Sequence, residues 1–125
     1  LVLGQKGTAP MAGMAGMGAT YTINGAAFPR TAPLVVRTGQ RVELVLASTS
    51  RDAHPMHLHG HHFQVVGLDG IPLSGAVRDT VLVPARGSVT VAFDAGNPGR
   101  WLFHCHNLFH MATGMMTELA YDATA

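Results

Sequence analysis

From Thr20 onward, apolar and polar residues alternate over short runs, and turn-forming residues separate the runs. A period of two turns one face of a strand to a core and the other to water. Val42, Leu44 and Leu46 interleave with Arg41, Glu43 and Val45, which predicts a half-buried strand over 41–47. Val89, Val91 and Phe93 form a similar set. A strand over 21–23 runs into Asn24-Gly25, a pair suited to a tight hairpin turn. Further strands are expected over 34–37, 63–68, 80–83, 101–105 and 116–121. Asp69-Gly70, Pro84 and Asn97-Pro98-Gly99 punctuate them. No segment carries a long helical period, and only 107–112 has room for a single helical turn. Seven to eight short strands with regular turns predict an all-β Greek-key sandwich or barrel.

Residues 1–19 depart from this pattern. Met11, Met14 and Met17 recur every third position among Gly and Ala, and the glycine content disfavours a helix. The segment reads as a flexible Met/Gly-rich lead-in to one domain spanning 20–125. Its thioethers are soft donors that suit Cu(I), while a plain mobile linker is the alternative reading.

Composition narrows the function classes. Lys and Arg number 8 against 7 Asp and Glu, so no basic stripe points to nucleic acid or an anionic membrane surface. Charged residues make up 12% of the chain, against about 25% in ordinary soluble domains, as expected if part of the surface is covered by a partner or another copy. No apolar run is long enough for a membrane span. The chain does not begin with Met and shows no signal-peptide pattern, so a mature form or a piece of a longer chain is expected.

The chemistry gathers in two clusters. His104-Cys105-His106, then His110 and Met115, lie within twelve residues. His54-Pro55-Met56-His57-Leu58-His59 lies about fifty residues upstream. One Cys, two His and a weak Met form the ligand set of a blue-copper site. His54 and His110 are the candidate imidazoles, Cys105 the thiolate and Met115 the axial thioether, with Met116 its rival. Alternation along a strand turns Cys105 to one face and His104 and His106 to the other, so one backbone segment could touch two metal centres. His57 and His59, also two apart, can turn their rings the same way. Zinc is the competing metal, but a thioether adds nothing for zinc. His61 and His62 follow Gly60 into a strand and are left out of the ligand set. With a single Cys, Cys-x-x-Cys redox chemistry is excluded. A thiolate ringed by imidazoles is better explained by a metal than by nucleophilic catalysis.

These motifs resemble the copper signatures of the multicopper oxidases, the family of laccases and bacterial copper oxidases, and specifically their C-terminal cupredoxin domain. The matching residues are 54–60, 104–110 and Gly114-Met115, together with 79–84 and 97–101, within a likeness that covers 20–125. The resemblance implies a cupredoxin fold and a type 1 copper held by His54, Cys105, His110 and Met115. It implies a type 2 copper on His57 and a type 3 pair on His59, His104 and His106. It implies a copper-dependent oxidoreductase: a small reductant such as a phenol or a metal ion gives up electrons at the type 1 copper. They pass through Cys105, His104 and His106, the catalytic residues, to a trinuclear cluster that reduces dioxygen to water. A periplasmic or secreted location follows from the same likeness.

The sequence departs from the family in two respects. It offers two His-x-His pairs where the family's cluster uses four, two of them from an N-terminal domain. Its loop after Cys105, running to Thr113, holds no carboxylate to deliver protons. The cluster is therefore expected to be completed by a homo-oligomer, a trimer for example, or by an absent N-terminal cupredoxin domain. The alternative is a stand-alone blue-copper electron-transfer or copper-binding module with only the type 1 site filled.

Overall fold

Two β-sheets pack face to face in a computed structural model that describes residues 1–6 and 20–122. The elements in chain order are β1 (Val2–Lys6), β2 (Thr20–Ile23), β3 (Leu34–Val36), β4 (Arg41–Ser48), β5 (His54–Leu58) and β6 (Phe63–Leu68). They continue with β7 (Ile71–Pro72), β8 (Val77–Arg78), β9 (Thr80–Val83), β10 (Ser88–Asp94), β11 (Arg100–Cys105), α1 (Leu108–Ala112) and β12 (Met116–Tyr121). One sheet runs β2-β1-β4-β10-β6-β7, with β8 also on β6; the other runs β3-β12-β11-β5-β9. The chain repeatedly changes sheet between consecutive strands, so both layers depend on the whole sequence. This is the expected all-β sandwich of cupredoxin type.

The alternating runs became strands in the predicted places. In β4, Leu46 is buried while Arg41, Glu43 and Val45 are exposed, as the period requires. At Asn24-Gly25 both residues have positive φ, 53° and 82°. Ile23 and Ala26 close that turn with reciprocal backbone hydrogen bonds of 2.9 and 3.2 Å. This is the geometry for which Asn-Gly is favoured.

The lead-in is corrected at its start. Val2–Lys6, expected to be flexible, form a strand antiparallel to β2 and parallel to β4. Burial explains it: Leu3 is fully enclosed by the core. A three-residue apolar run beside Gly4 is too short for periodicity to reveal. Met11, Met14 and Met17 lie outside the described residues. The strand number also rises to twelve among the described residues. β1, β5 and the two-residue β7 and β8 had no strand signal. β5 is made of His, Pro, Met and Leu, none of them β-branched, and pairing with β9 and β11 overrides that weak preference.

The core lies between the sheets. Leu3, Ile23, Leu46, Phe63, Val91 and Phe93 project from one, and Met56, Leu58, Val83, Phe103 and Leu119 from the other, all essentially inaccessible. Met56 and Leu58 alternate with His57 in β5, so the strand also has an outer face. That alternation, set beside β11, creates the site.

Candidate metal centre

The register between β5 and β11 fixes where each cluster faces. Cys105 lies opposite Met56, and His104 opposite His57. Cross-strand partners share a face, so Cys105 and His54 turn inward while His57 and His104 turn outward. The single turn α1 then brings His110 back over the strand ends. Its start is fixed by Asn107, whose Oδ1 accepts from the His110 backbone N–H at 3.2 Å.

The inward group is tight. His54 Nδ1 and His110 Nδ1 are 3.2 Å apart. Cys105 Sγ lies 3.5 Å from His110 Nδ1 and 3.9 Å from His54 Nδ1. Donors so spaced around one point can share a small ion with bonds of about 2.0–2.3 Å. Among the described residues no other three His, Cys, Asp or Glu side chains gather as closely. All three are buried, and Met115 is fully enclosed. The Met115 backbone joins the two ligand segments, donating to His110 O at 3.0 Å and accepting from Cys105 N at 3.0 Å. Met116 instead pairs with His104 across β11, on the outward face.

The electrostatics suit a neutral, metal-ready pocket. Burial pushes the His54 pKa down to about 4; the neighbouring His110 adds to the shift and Asp52 opposes it. Burial likewise lowers His110, against the pull of Asp52. Burial pushes the Cys105 thiol up, a backbone hydrogen bond at Asn107 pulls it down, and Asp52 pushes it up again. Without metal the group is thus two neutral imidazoles and a thiol. A soft divalent or monovalent ion displaces the thiol proton on binding. A thiolate and two imidazoles fit copper.

The outer nitrogens of both imidazoles meet one loop. Ser50 Oγ lies 3.0 Å from His54 Nε2. Asp52 Oδ2 lies 3.9 Å from His110 Nε2 and accepts a 3.0 Å hydrogen bond from the Tyr21 hydroxyl. Tyr21 stacks on His110 with ring centroids 3.9 Å apart. His54 is wholly buried, and His110 is 6% exposed with Asp52 beside it. Ser50 and Asp52, in the loop that leads into β5, thus face the outer nitrogens of the two rings. Asp52 could have been suspected from its closeness to His54; Tyr21, over thirty positions upstream, carried no signal.

The outward group is looser. His59 Nε2 and His104 Nε2 are 3.0 Å apart. His57 lies with ring centroids 4.7 Å from His59, 5.6 Å from His104 and 5.8 Å from His106. His57 Nδ1 meets Asp79 O at 2.9 Å and Thr80 Oγ1 at 3.0 Å, and His104 Nδ1 meets Cys105 O at 3.0 Å. A carbonyl accepts, so each Nδ1 holds the proton and each Nε2 keeps its lone pair for a ligand role. Burial lowers the pKa of His59, and crowding by His57, His104 and His106 lowers it further. His61 lies apart from both groups, its nitrogens engaged by His59 O and the Tyr121 hydroxyl. His62 is exposed.

Fold and site together define a cupredoxin-type domain with a Cys-His-His group that could hold a metal on one face and a His group on the other. The multicopper oxidase family profile matches residues 5–125, and the chain belongs to that family. It is 46% identical over 101 residues to the multicopper oxidase MmcO of Mycobacterium tuberculosis, covering 81% of this chain and 20% of the relative. It is 42% identical over 111 residues to Laccase-12 of Oryza sativa subsp. japonica, covering 75% and 19%. The blue copper oxidase of Nitrosomonas europaea superposes with a TM-score of 0.83 at 31% identity, over 99% of this chain and 44% of that one. The chain thus spans about a fifth of the length of these curated relatives and under half of that solved structure.

Proposed function

We propose that this chain is the type 1 copper domain of a laccase-like oxidase, and that it supplies half of a trinuclear cluster which another copy or another domain completes. His54, Cys105 and His110 hold the type 1 copper, with Met115 as the axial thioether. His57 serves the type 2 copper, and His59, His104 and His106 serve the type 3 pair. Bound copper supplies one-electron oxidation of a small reductant, a phenol or a metal ion, and reduction of dioxygen to water. The observation that carries this reading is the placement of Cys105 between His104 and His106 where β11 ends. Its sulfur sits in the inward group and its neighbours sit in the outward group, so the two are a few covalent bonds apart.

The protein's own residues prepare both groups. Desolvation keeps His54 and His110 neutral, which leaves each imidazole one nitrogen lone pair to offer. Asp79 O and Cys105 O hold the Nδ1 protons of His57 and His104. The core around Cys105 excludes water from the thiolate. Two features support completion from outside: His106 is exposed, and the outward face carries Leu82 and Leu102 in solvent. No described helix is long and apolar enough to cross a membrane. A periplasmic or secreted location is part of this proposal, as in the family.

An EPR spectrum of the copper-loaded, oxidised protein tests it. A narrow type 1 signal with a type 2 signal of equal weight supports completion by copies of this chain. A type 1 signal alone supports completion by another domain. Absence of the narrow signal overturns the type 1 assignment.

A further inference from the structure

Resting on the proposed type 1 site, we infer that Tyr21 is a positioning residue for His110, acting through its ring and through the Asp52 carboxylate that its hydroxyl anchors. Tyr21 is 7% exposed and lies over His110 with ring centroids 3.9 Å apart and planes 28° from parallel. It also meets His54 edge-on, at 6.2 Å and 70°. A ring packed flat on one imidazole and edge-on to the other limits how either can rotate.

The hydroxyl does the second job. It donates to Asp52 Oδ2 at 3.0 Å, and that same oxygen faces His110 Nε2 at 3.9 Å. His110 turns Nδ1 towards Cys105 and His54. When Nδ1 is a ligand, Nε2 keeps the proton, and that proton faces the carboxylate. A carboxylate at the far nitrogen makes an imidazole a stronger donor and favours the more highly charged metal state. The Asp52 side chain is 43% exposed, so water competes for it. Tyr21 offsets that competition. Asp52 is held at its backbone as well, with Ser48 Oγ donating to Asp52 O at 3.1 Å and Asp52 N donating to Ser50 Oγ at 3.2 Å. The loop is thus fixed while its carboxylate needs an anchor. Tyr21 is in turn placed by β1, opposite Gln5. The strand at the start of the chain therefore reaches the metal group through one residue.

The test is a redox titration of the copper-loaded chain, followed at its charge-transfer band, with Tyr21→Phe, Asp52→Asn and the double variant. Asp52→Asn removes the charge and should shift the Cu(II)/Cu(I) equilibrium several-fold toward Cu(I); a tenfold shift is ~59 mV for one electron. Tyr21→Phe keeps the ring and frees the carboxylate, so it should shift the equilibrium in the same direction by less. In the double variant Tyr21→Phe should add nothing, because the group it anchors carries no charge. Additive shifts, a shift of opposite sign, or a lower thermal midpoint with an unmoved potential would each overturn the inference. Should Tyr21→Phe not fold, an unmoved potential in Asp52→Asn overturns it alone. A wild-type chain that takes up copper without a blue band overturns the site assignment itself, before any variant is compared, and this inference with it.

Discussion

Acid should weaken the metal-free protein through His54, and the size of the effect follows from its burial. The imidazole is wholly enclosed, and its pKa falls from 6.5 to about 4. In the unfolded chain it titrates near its ordinary value. Above pH 6.5 both states are neutral there and nothing is lost. Between 6.5 and 4 the unfolded chain binds a proton that the folded one refuses, so stability drops as pH falls. The full difference is about 3 kcal/mol, reached below pH 4, with about 2 kcal/mol already lost at pH 5. Urea unfolding of the metal-free protein at pH 7 and pH 5 reads this directly. With a slope of about 1–3 kcal/mol per molar, the midpoint should drop by roughly 1 M. His110 and His59 are lowered too, so the wild-type loss includes their shares. The difference between wild type and His54→Gln isolates the one residue. If the variant loses as much stability as wild type over this range, the argument from His54 burial is wrong. Copper should suppress the effect at low acidity, since a metal-bound imidazole has no free lone pair to protonate.

Other expectations follow from the same geometry. Cys105→Ser should abolish the blue absorption and oxidase activity together, and an intact charge-transfer band would contradict the thiolate assignment. His106→Ala should keep the blue band and lose dioxygen consumption in the completed enzyme, read with an oxygen electrode. Phe103→Ala should cost about 3–5 kcal/mol in urea unfolding, because the ring is fully enclosed between the sheets. Gly60→Ala should cost about 2–4 kcal/mol, since φ is +74° and the new Cβ would lie 2.5 Å from the Trp101 indole.

Much of the fold was legible because its cues are local. Alternation in β4 and β10, and turn pairs such as Asn24-Gly25, are set by neighbours a few residues away. The ligand candidates were equally legible, because a strand's period of two sends Cys105 and His104 to opposite faces wherever that strand sits. β5 was not legible, as its sequence was spent on ligands and Pro55 rather than on β-branched residues. β1 was hidden for a different reason: Leu3 is a core residue only because β2 and β4 flank it.

What could be read from the sequence by itself was therefore the candidate donors, the strand that carries Cys105 and the two faces it serves. Tertiary structure alone decided which donors meet. Packing brought His54 and His110, over fifty positions apart, to 3.2 Å, and the register of β5 against β11 set His57 opposite His104. It also supplied Tyr21, Ser50 and Asp52 around the imidazoles. Desolvation, stacking and hydrogen bonding act between neighbours in space, and no spacing along the chain encodes them for a tyrosine on a distant strand.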